Sequence, residues 1–195
     1  MTRHNSLSDT RNLVLCALCA AITCVLAPVS IPLAGGVPIS LSTFAVMLSG
    51  VLLGGNLGAV SQLIYVLLGA AGLPVFAGWT GGLGKILNMT GGYIVGYIPC
   101  AWLTGLIYKK YGETAKKSVK ILLMVLAMTA GNIVLYVIGT AWFMFVTGMT
   151  LEASLTACVI PFLPGNLIKM AAVVIIGLPV EAAIRKTMYA NEPAV

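Results

Sequence analysis

The strongest constraint on this chain is a long stretch without charge. No Asp, Glu, Lys or Arg lies between Arg11 and Lys85, and long apolar blocks follow. Only 8% of the 195 residues are charged and 59% are hydrophobic, whereas a soluble domain carries about 25% charge. The sequence therefore predicts a single integral membrane domain, 1–195. It excludes a soluble enzyme and a nucleic-acid-binding protein, despite a net charge of +6.

The apolar blocks are continuous rather than alternating, which favours helices over a β-barrel. Gly and Pro clusters divide them into six predicted transmembrane helices, the second and third of which are too short for a full, untilted span. These spans are 13–33, 40–53, 57–71, 91–108, 118–146 and 165–184, with tails at 1–12 and 188–195. Short helices are also expected around Leu83–Leu87 and within 150–160. The predicted fold class is all-α.

Basic residues indicate the orientation of these spans. With both termini in the cytoplasm, nine of the eleven Lys and Arg residues fall on the inside. These nine are Arg3, Arg11, Lys109, Lys110, Lys116, Lys117, Lys120, Arg185 and Lys186. The pattern predicts a multi-pass protein of the bacterial cell membrane with cytoplasmic termini, in which these nine residues set the topology and contact anionic lipid.

Lys169 is one of two lysines left on the other side of the membrane. A charge within a span is costly, about 2.5–3.5 kcal/mol at mid-membrane, and persists where it faces a polar cavity or binds an anion. The alternative is that Lys169 reaches the outer headgroups. Asn166 lies three residues earlier, on the same helix face, and is the last residue of the rigid segment 161–166. An amide beside an ammonium favours a site for a small anion.

Lys85, the other such lysine, ends the Gly-rich segment 78–85. The segment is not a phosphate-binding loop, because Trp79 replaces the first Gly of that motif and Ile86 replaces its Ser or Thr. ATP hydrolysis is therefore not expected in this chain. A long Gly-rich connection carrying Trp79 favours a lid over a pocket, and an ordinary surface turn is the alternative.

Aromatic residues supply further candidates for a binding pocket. Tyr136 and Trp142 share a drifting helix face, and Tyr93 begins another apolar helix. Aromatic rings with a polar tip suit a flat, partly polar ligand, while anchoring at the membrane interface is the alternative. The single His lies near the N-terminus and no predicted span has a carboxylate pair. The sequence thus predicts no metal site and no catalytic triad.

Several motifs together resemble the BioY family of biotin transporters across residues 13–187. In order, they are VPISL at 37–41, GVLLG at 50–54, YVLLGAAGLPVFAG at 65–78, GG at 81–82, TGGY at 90–93, YxxGxxW at 136–142 and PFLPGxLxK at 161–169. The resemblance implies the S-component fold of an energy-coupling factor (ECF) transporter. Such a subunit binds biotin from outside and works with a transmembrane T component and two cytoplasmic ATPases.

The resemblance also implies roles for the candidate residues. Lys169 would make a charge-assisted hydrogen bond to biotin, and the carboxylate of biotin is its expected partner. The polar partners, the pocket walls and the lid would come from Asn166, Asn88, Tyr93, Tyr136, Trp142, Trp79 and Lys85. The small pair Ala17 and Ala21 would contact the T component. No cofactor is expected. Asn166 stands where the family usually has Asp, so a different vitamin, a biotin precursor or a solitary carrier is the alternative.

Overall fold

A computed structural model describes residues 10–32, 37–112 and 115–189. Within these ranges the chain is predominantly helical, as predicted. The elements are α1 (Thr10–Leu26), β1 (Ser30–Ile31), β2 (Ile39–Ser40), α2 (Ser42–Leu53), α3 (Gly55–Ala70), α4 (Leu83–Leu87), α5 (Gly91–Ile107), a π-helical turn (Tyr108–Gly112), α6 (Lys117–Thr147), α7 (Leu151–Cys158) and α8 (Phe162–Tyr189). The short helices expected around Leu83–Leu87 and within 150–160 are α4 and α7.

The first helix is shorter than the predicted segment 13–33. It ends at Leu26 because Pro28 follows closely: proline lacks an N–H, and the residue before it avoids the helical conformation. The chain then forms β1, which pairs antiparallel with β2. The predicted helices thus extend too far at residues 27–32 and at residue 40, where the chain forms a hairpin. Residue 33 lies outside the described ranges.

Close helix contacts organise the middle of the bundle. Gly54, at φ +84°, is the single residue between α2 and α3. Gly105 of α5 packs directly on it, since a Cβ on Gly105 would lie 2.3 Å from the Gly54 carbonyl carbon. Glycine is required at both positions, one for its backbone angle and the other for space. α5 also packs along α6 more extensively than any other pair of described elements.

The C-terminal part differs from prediction mainly at helix ends. Residues 108–112, expected partly as loop, continue α5 as a π-helical turn. α8 begins at Phe162, so Pro164 lies in its first turn, where its missing N–H leaves no bond unmade. α8 then continues to Tyr189, beyond the predicted boundary at residue 184 and into the segment assigned to the tail.

The packed interior of the described residues has three regions, the smallest of which joins α1 to the α2–α3 junction through Cys16, Cys19, Leu53 and Leu57. A second surrounds the aromatic residues of α3, α5 and the Gly-rich connection, including Tyr65, Phe76 and Tyr97. The third is rich in methionine, with Met47, Met124 and Met128 fully buried. Flexible methionine side chains fill irregular gaps between helices. The second region borders the cavities described below.

Two of the described helices are long and apolar enough to cross a membrane by length and composition, Lys117–Thr147 and Phe162–Ile184. Three others, α1, α2 and α3, are apolar but shorter. The helical fold class is therefore established, whereas the number of spans stays a prediction.

Candidate functional site

Two adjoining chambers lie between the β-hairpin, α2 and α5. Both are bordered by residues that the hairpin and these helices contribute: Val37, Pro38, Ser40, Ser42, Tyr93 and Tyr97. We call one the Lys85 chamber and the other the Lys169 chamber, and each has about 30 Å³ of space. This space holds only a few water molecules, so a small-molecule ligand can enter only if the lining side chains move apart.

Lys169 of α8 lies in the second chamber and is only 8% exposed. Its Nζ donates to the Ser40 carbonyl oxygen at 2.6 Å and to Thr43 Oγ1 at 2.9 Å. An ammonium has three N–H donors, so one remains for a ligand. The described structure records no carboxylate paired with it. The site therefore holds a buried cation whose protein partners are all neutral.

A directional hydrogen-bond chain leads away from Lys169. Thr43 accepts from Lys169 and donates its own hydroxyl hydrogen to Asn166 Oδ1 at 3.2 Å. Asn166 Nδ2 donates to Tyr136 Oη at 2.5 Å and, more weakly, to Asn132 Oδ1 at 3.5 Å. Because Tyr136 accepts from Asn166, its hydroxyl hydrogen is left to point elsewhere. Tyr136 lines the chamber, so this hydrogen is a donor for a ligand.

A second hydroxyl chain crosses the wall between the two chambers. Ser40 Oγ lies 2.5 Å from Ser42 Oγ, which lies 2.6 Å from Tyr97 Oη. These residues were not among the sequence candidates. Isolated Ser residues in an apolar block are a weak signal, and only the hairpin places Ser40 opposite α5.

The Lys85 chamber is more aromatic. Tyr65 and Phe76 meet edge to face, with ring centroids 5.6 Å apart, and Tyr65 also contacts Tyr97. Lys85 of α4 is partly exposed at its edge. Tyr93 borders both chambers and donates through its hydroxyl to the Cys158 carbonyl at 3.4 Å, which connects α5 to α7. An apolar ring system would fit these walls.

Three predicted residues lie elsewhere. Trp142 does not line either chamber; its indole N–H donates to the Asn88 carbonyl at 3.0 Å and fastens the end of α4 to α6. The Asn88 side chain accepts from the Met89 N–H at 2.6 Å. Trp79, the expected lid, is 68% exposed and adopts φ +59°, and it does not cover either chamber. In this conformation Trp142 is not part of a chamber wall, Asn88 does not border a chamber and Trp79 does not act as a lid, so their roles toward a ligand stay predictions.

The small pair on α1 faces outward. Ala17 and Ala21 are exposed, while Cys16, Cys19 and Ala20 form the packed face of the helix. Val25, also exposed, continues the outward face. This placement leaves the pair accessible to lipid or to a partner subunit.

A buried polar cluster near the other end of the bundle was missed from sequence. Glu181 of α8 is 3% exposed, accepts from Tyr108 Oη at 2.6 Å and pairs with Lys120 at 2.9 Å. The cluster joins α8 to α6 and to the π-helical turn. An acid within an apolar helix was the available signal, because such a residue normally has a partner.

An ionisable residue buried within a bundle of apolar helices, as Lys169 is here, marks a substrate or ion pathway in membrane proteins. A model of the BioY family matches residues 1–186. The chain belongs to the BioY family.

Similar proteins of known name agree with this assignment. The biotin transporter BioY of Rhodobacter capsulatus is 38% identical over 177 residues, which cover 86% of this chain and 90% of that protein. A probable biotin transporter BioY of Pyrococcus horikoshii is also 38% identical, over 83% of this chain and 91% of the relative. The crystal structure of the S-component for biotin from an ECF-type ABC transporter matches with a TM-score of 0.78 at 26% identity, covering 93% and 95% of the two chains. The class is thus a transporter protein with the S-component fold, and not an enzyme.

Proposed function

We propose that this chain is the biotin-binding subunit of an ECF-type vitamin uptake transporter. It lies in the cell membrane as a multi-pass protein with both termini in the cytoplasm, captures biotin from outside and delivers it inward. A T component and two cytoplasmic ATPases are its partners, and the outward face of α1 around Ala17 and Ala21 contacts the T component. The similarity to biotin transporters of the BioY family supports biotin as the ligand.

The observation that carries the proposal is the mixture of groups in the Lys169 chamber. The remaining Lys169 N–H and the Tyr136 hydroxyl hydrogen are donors, while the hydroxyl groups of Ser40 and Ser42 can accept or donate. The ureido ring of biotin has one carbonyl acceptor and two N–H donors, and its valerate tail ends in a carboxylate. A site with both kinds of group matches such a ligand better than it matches a simple anion.

The candidate residues have different roles in this proposal. Lys169 makes a charge-assisted hydrogen bond to the ligand, and Tyr136 and Tyr93 form the wall beside it. Asn166 acts mainly by orienting Tyr136, since its own amide groups bind protein partners. Asn88, Trp142 and Trp79 reach the ligand only if the α4 connection changes its conformation on binding.

A different vitamin or a biotin precursor is the alternative ligand, because Asn166 provides a neutral amide where the family usually has an acid. A solitary carrier that works without ATPases is the alternative mechanism. Binding assays with biotin, other vitamins and precursors separate the ligands. Purification with the co-expressed neighbouring subunits separates an ECF complex from a solitary protein.

The proposal predicts saturable binding of biotin and its weakening in Lys169→Ala. Loss of one charge-assisted hydrogen bond, about 1.5–3 kcal/mol, raises the Kd by about tenfold or more. Equilibrium binding of labelled biotin to the purified protein in detergent or nanodiscs measures this change.

Lys117→Ala is the matched control, because it removes an exposed lysine at the start of α6. Its Kd should equal that of the unaltered protein, and both variants should elute as folded protein on size exclusion. Absence of saturable biotin binding by the unaltered protein contradicts the function. Equal affinity in Lys169→Ala contradicts the site.

A further inference from the structure

Lys85 lies between the Lys85 chamber and a wider, more open cavity. This cavity, the vestibule, has about 380 Å³ of space and is lined by Ser30, Pro32, Pro38, Ala77, Gly78, Thr80 and Lys85. Pro38, Ala77 and Lys85 border both spaces. Lys85 therefore stands at the mouth through which the vestibule meets the chamber.

Lys85 is also the charged residue of that mouth. It is partly exposed, and the described structure records neither an ion pair nor a hydrogen bond for its ammonium group. Of the acids in the described ranges, Glu181 is paired with Lys120, and Glu152 is exposed on α7. The Thr80 hydroxyl donates to the Ala77 carbonyl at 2.9 Å. Within the described part of the chain, the mouth thus offers a positive charge without a counter-ion.

The two lysines present different chemistry to a ligand. Around Lys169, donors and acceptors are mixed, and its charge is already solvated by the Ser40 carbonyl and Thr43. A carboxylate only accepts hydrogen bonds: the hydroxyl groups there can donate to it, but their acceptor lone pairs stay unused. Burying it in that chamber also removes its water. At the mouth, a carboxylate meets an ammonium and keeps part of its hydration.

We propose that Lys85 binds the carboxylate of the ligand at the mouth of its chamber, while the Lys169 chamber holds the uncharged polar head. The inference rests on the proposed function. It assigns the carboxylate to Lys85 rather than to Lys169, the partner expected from sequence. A small organic acid then binds first in the vestibule. The charge of Lys85 at the inner edge of the vestibule distinguishes a free acid from its amide.

The test compares biotin with biotinamide, in which an uncharged amide replaces the carboxylate. Equilibrium Kd values are measured for the unaltered protein, Lys85→Gln, Lys85→Arg and Lys117→Gln, at low and high salt. Lys85→Gln should weaken biotin binding by about fivefold, the effect of a partly exposed ion pair. Its affinity for biotinamide should stay unchanged. Higher salt should reduce the preference of the unaltered protein for biotin.

The remaining variants separate charge at the mouth from general effects. Lys85→Arg should retain the preference for biotin over biotinamide, and Lys117→Gln, which lowers the net charge equally, should match the unaltered protein. Equal weakening of both ligands in Lys85→Gln, or no weakening of either, overturns the inference. So does loss of the preference in Lys169→Ala instead. If the unaltered protein binds no biotin, the proposed function itself fails and the inference fails with it.

Discussion

The hydrogen bonds that lead away from Lys169 all run in one direction, from donor to acceptor. In the series from Lys169 to Tyr136, Lys169 only donates, Thr43 and Asn166 each accept from one neighbour and donate to the next, and Tyr136 accepts. An Asp in place of Asn166 would only accept hydrogen bonds, so Tyr136 would have to donate to it. The amide at position 166 thus leaves the Tyr136 hydrogen available to the ligand.

Tyr136→Phe should therefore weaken biotin binding. The variant keeps the ring but removes the donor at the end of the series, and it leaves Asn166 Nδ2 with only its longer bond to Asn132. The lost hydrogen bond costs about 1 kcal/mol, or roughly a fivefold rise in Kd. Calorimetric titration with biotin measures it, and Tyr111→Phe, at an exposed ring, is the control.

A double variant tests whether the series acts as a unit. Asn166→Ala combined with Tyr136→Phe should weaken binding by less than the product of the two single effects, because both remove the same oriented donor. Independent effects that multiply would show that Asn166 contacts the ligand itself.

The sequence predicted the charged part of this site better than its neutral part. Lys169 and Lys85 are recognisable because a charged side chain in an apolar block costs free energy and therefore indicates a functional site. Serine and threonine are common in apolar segments, so Ser40, Ser42 and Thr43 give no signal in the sequence. Only the folded chain, with the β-hairpin formed, shows that they line the Lys169 chamber. The direction of the Trp79 indole was not predictable, because a Gly-rich segment does not determine which way an indole points, and its role as a lid stays a prediction.

At the scale of helices, the close approach of α5 and α6 holds the tyrosine wall in place. A Cβ on Gly139 would lie 2.4 Å from the Tyr93 ring, and one on Gly92 would lie 2.2 Å from Trp142 Cβ. Small residues at helix contacts allow such approach within a membrane, where packing replaces the hydrophobic effect. The position of Tyr93 beside α6 therefore depends on glycines that never touch a ligand.

Gly131→Ala should destabilise this helix pair. The new Cβ would lie 2.8 Å from the Cys100 carbonyl oxygen and 2.2 Å from Thr104 Oγ1, and the backbone oxygen cannot rotate away. Overpacking of this kind costs about 1–3 kcal/mol. Thermal unfolding in detergent, followed by helical circular dichroism, should show a midpoint lower by several degrees.

Gly177→Ala provides the matched comparison on α8. Its Cβ would meet nothing closer than 3.6 Å, so the midpoint should stay the same or rise with the better helix propensity of Ala. A tolerated Gly131→Ala would mean that α5 and α6 are free to separate, contrary to the packing described above.

Helices were easier to predict than their connections for a physical reason. An apolar block bounded by Gly or Pro has few alternatives to a helix, so α5 and α6 begin and end close to their predicted limits. The β-hairpin depends on pairing between Ser30 and Ser40, ten positions apart, and no local pattern indicates it. That pairing is what brings the Ser40 carbonyl to Lys169.

Across the whole molecule, the two ends of the bundle carry different chemistry. The chambers and the vestibule lie among Lys85, the hairpin and the start of α8, whereas Glu181, Lys120 and Tyr108 join the helices farther along α8. α8 is thus fixed through Lys169 at one part and through Glu181 at another. The register of α8, and with it the height of Lys169 in the bundle, depends on both attachments.

The outward face of α1 should separate ligand binding from transport. Ala17 and Ala21 are exposed on the side of α1 opposite its packed residues, and neither borders a described chamber. Replacing both with Leu adds bulk where a partner helix would approach closely, without crowding the fold. We expect an unchanged Kd for biotin but a roughly fivefold to hundredfold loss of energised uptake, since overpacking of about 1–3 kcal/mol at the interface weakens assembly to that extent. Uptake of labelled biotin by cells that co-express the T component and the ATPases measures the loss.

The comparison that decides this prediction uses two exposed alanines on another helix. Ala171→Leu with Ala182→Leu adds the same bulk to the outer surface of α8 and should leave uptake unaffected if α1 is the contact surface. A general disturbance of membrane insertion would lower uptake in both double variants, together with the amount of protein in the membrane. If the α1 variant binds biotin normally, remains associated with its partners on purification and transports at the full rate, Ala17 and Ala21 face lipid. The T component must then approach the bundle from another side.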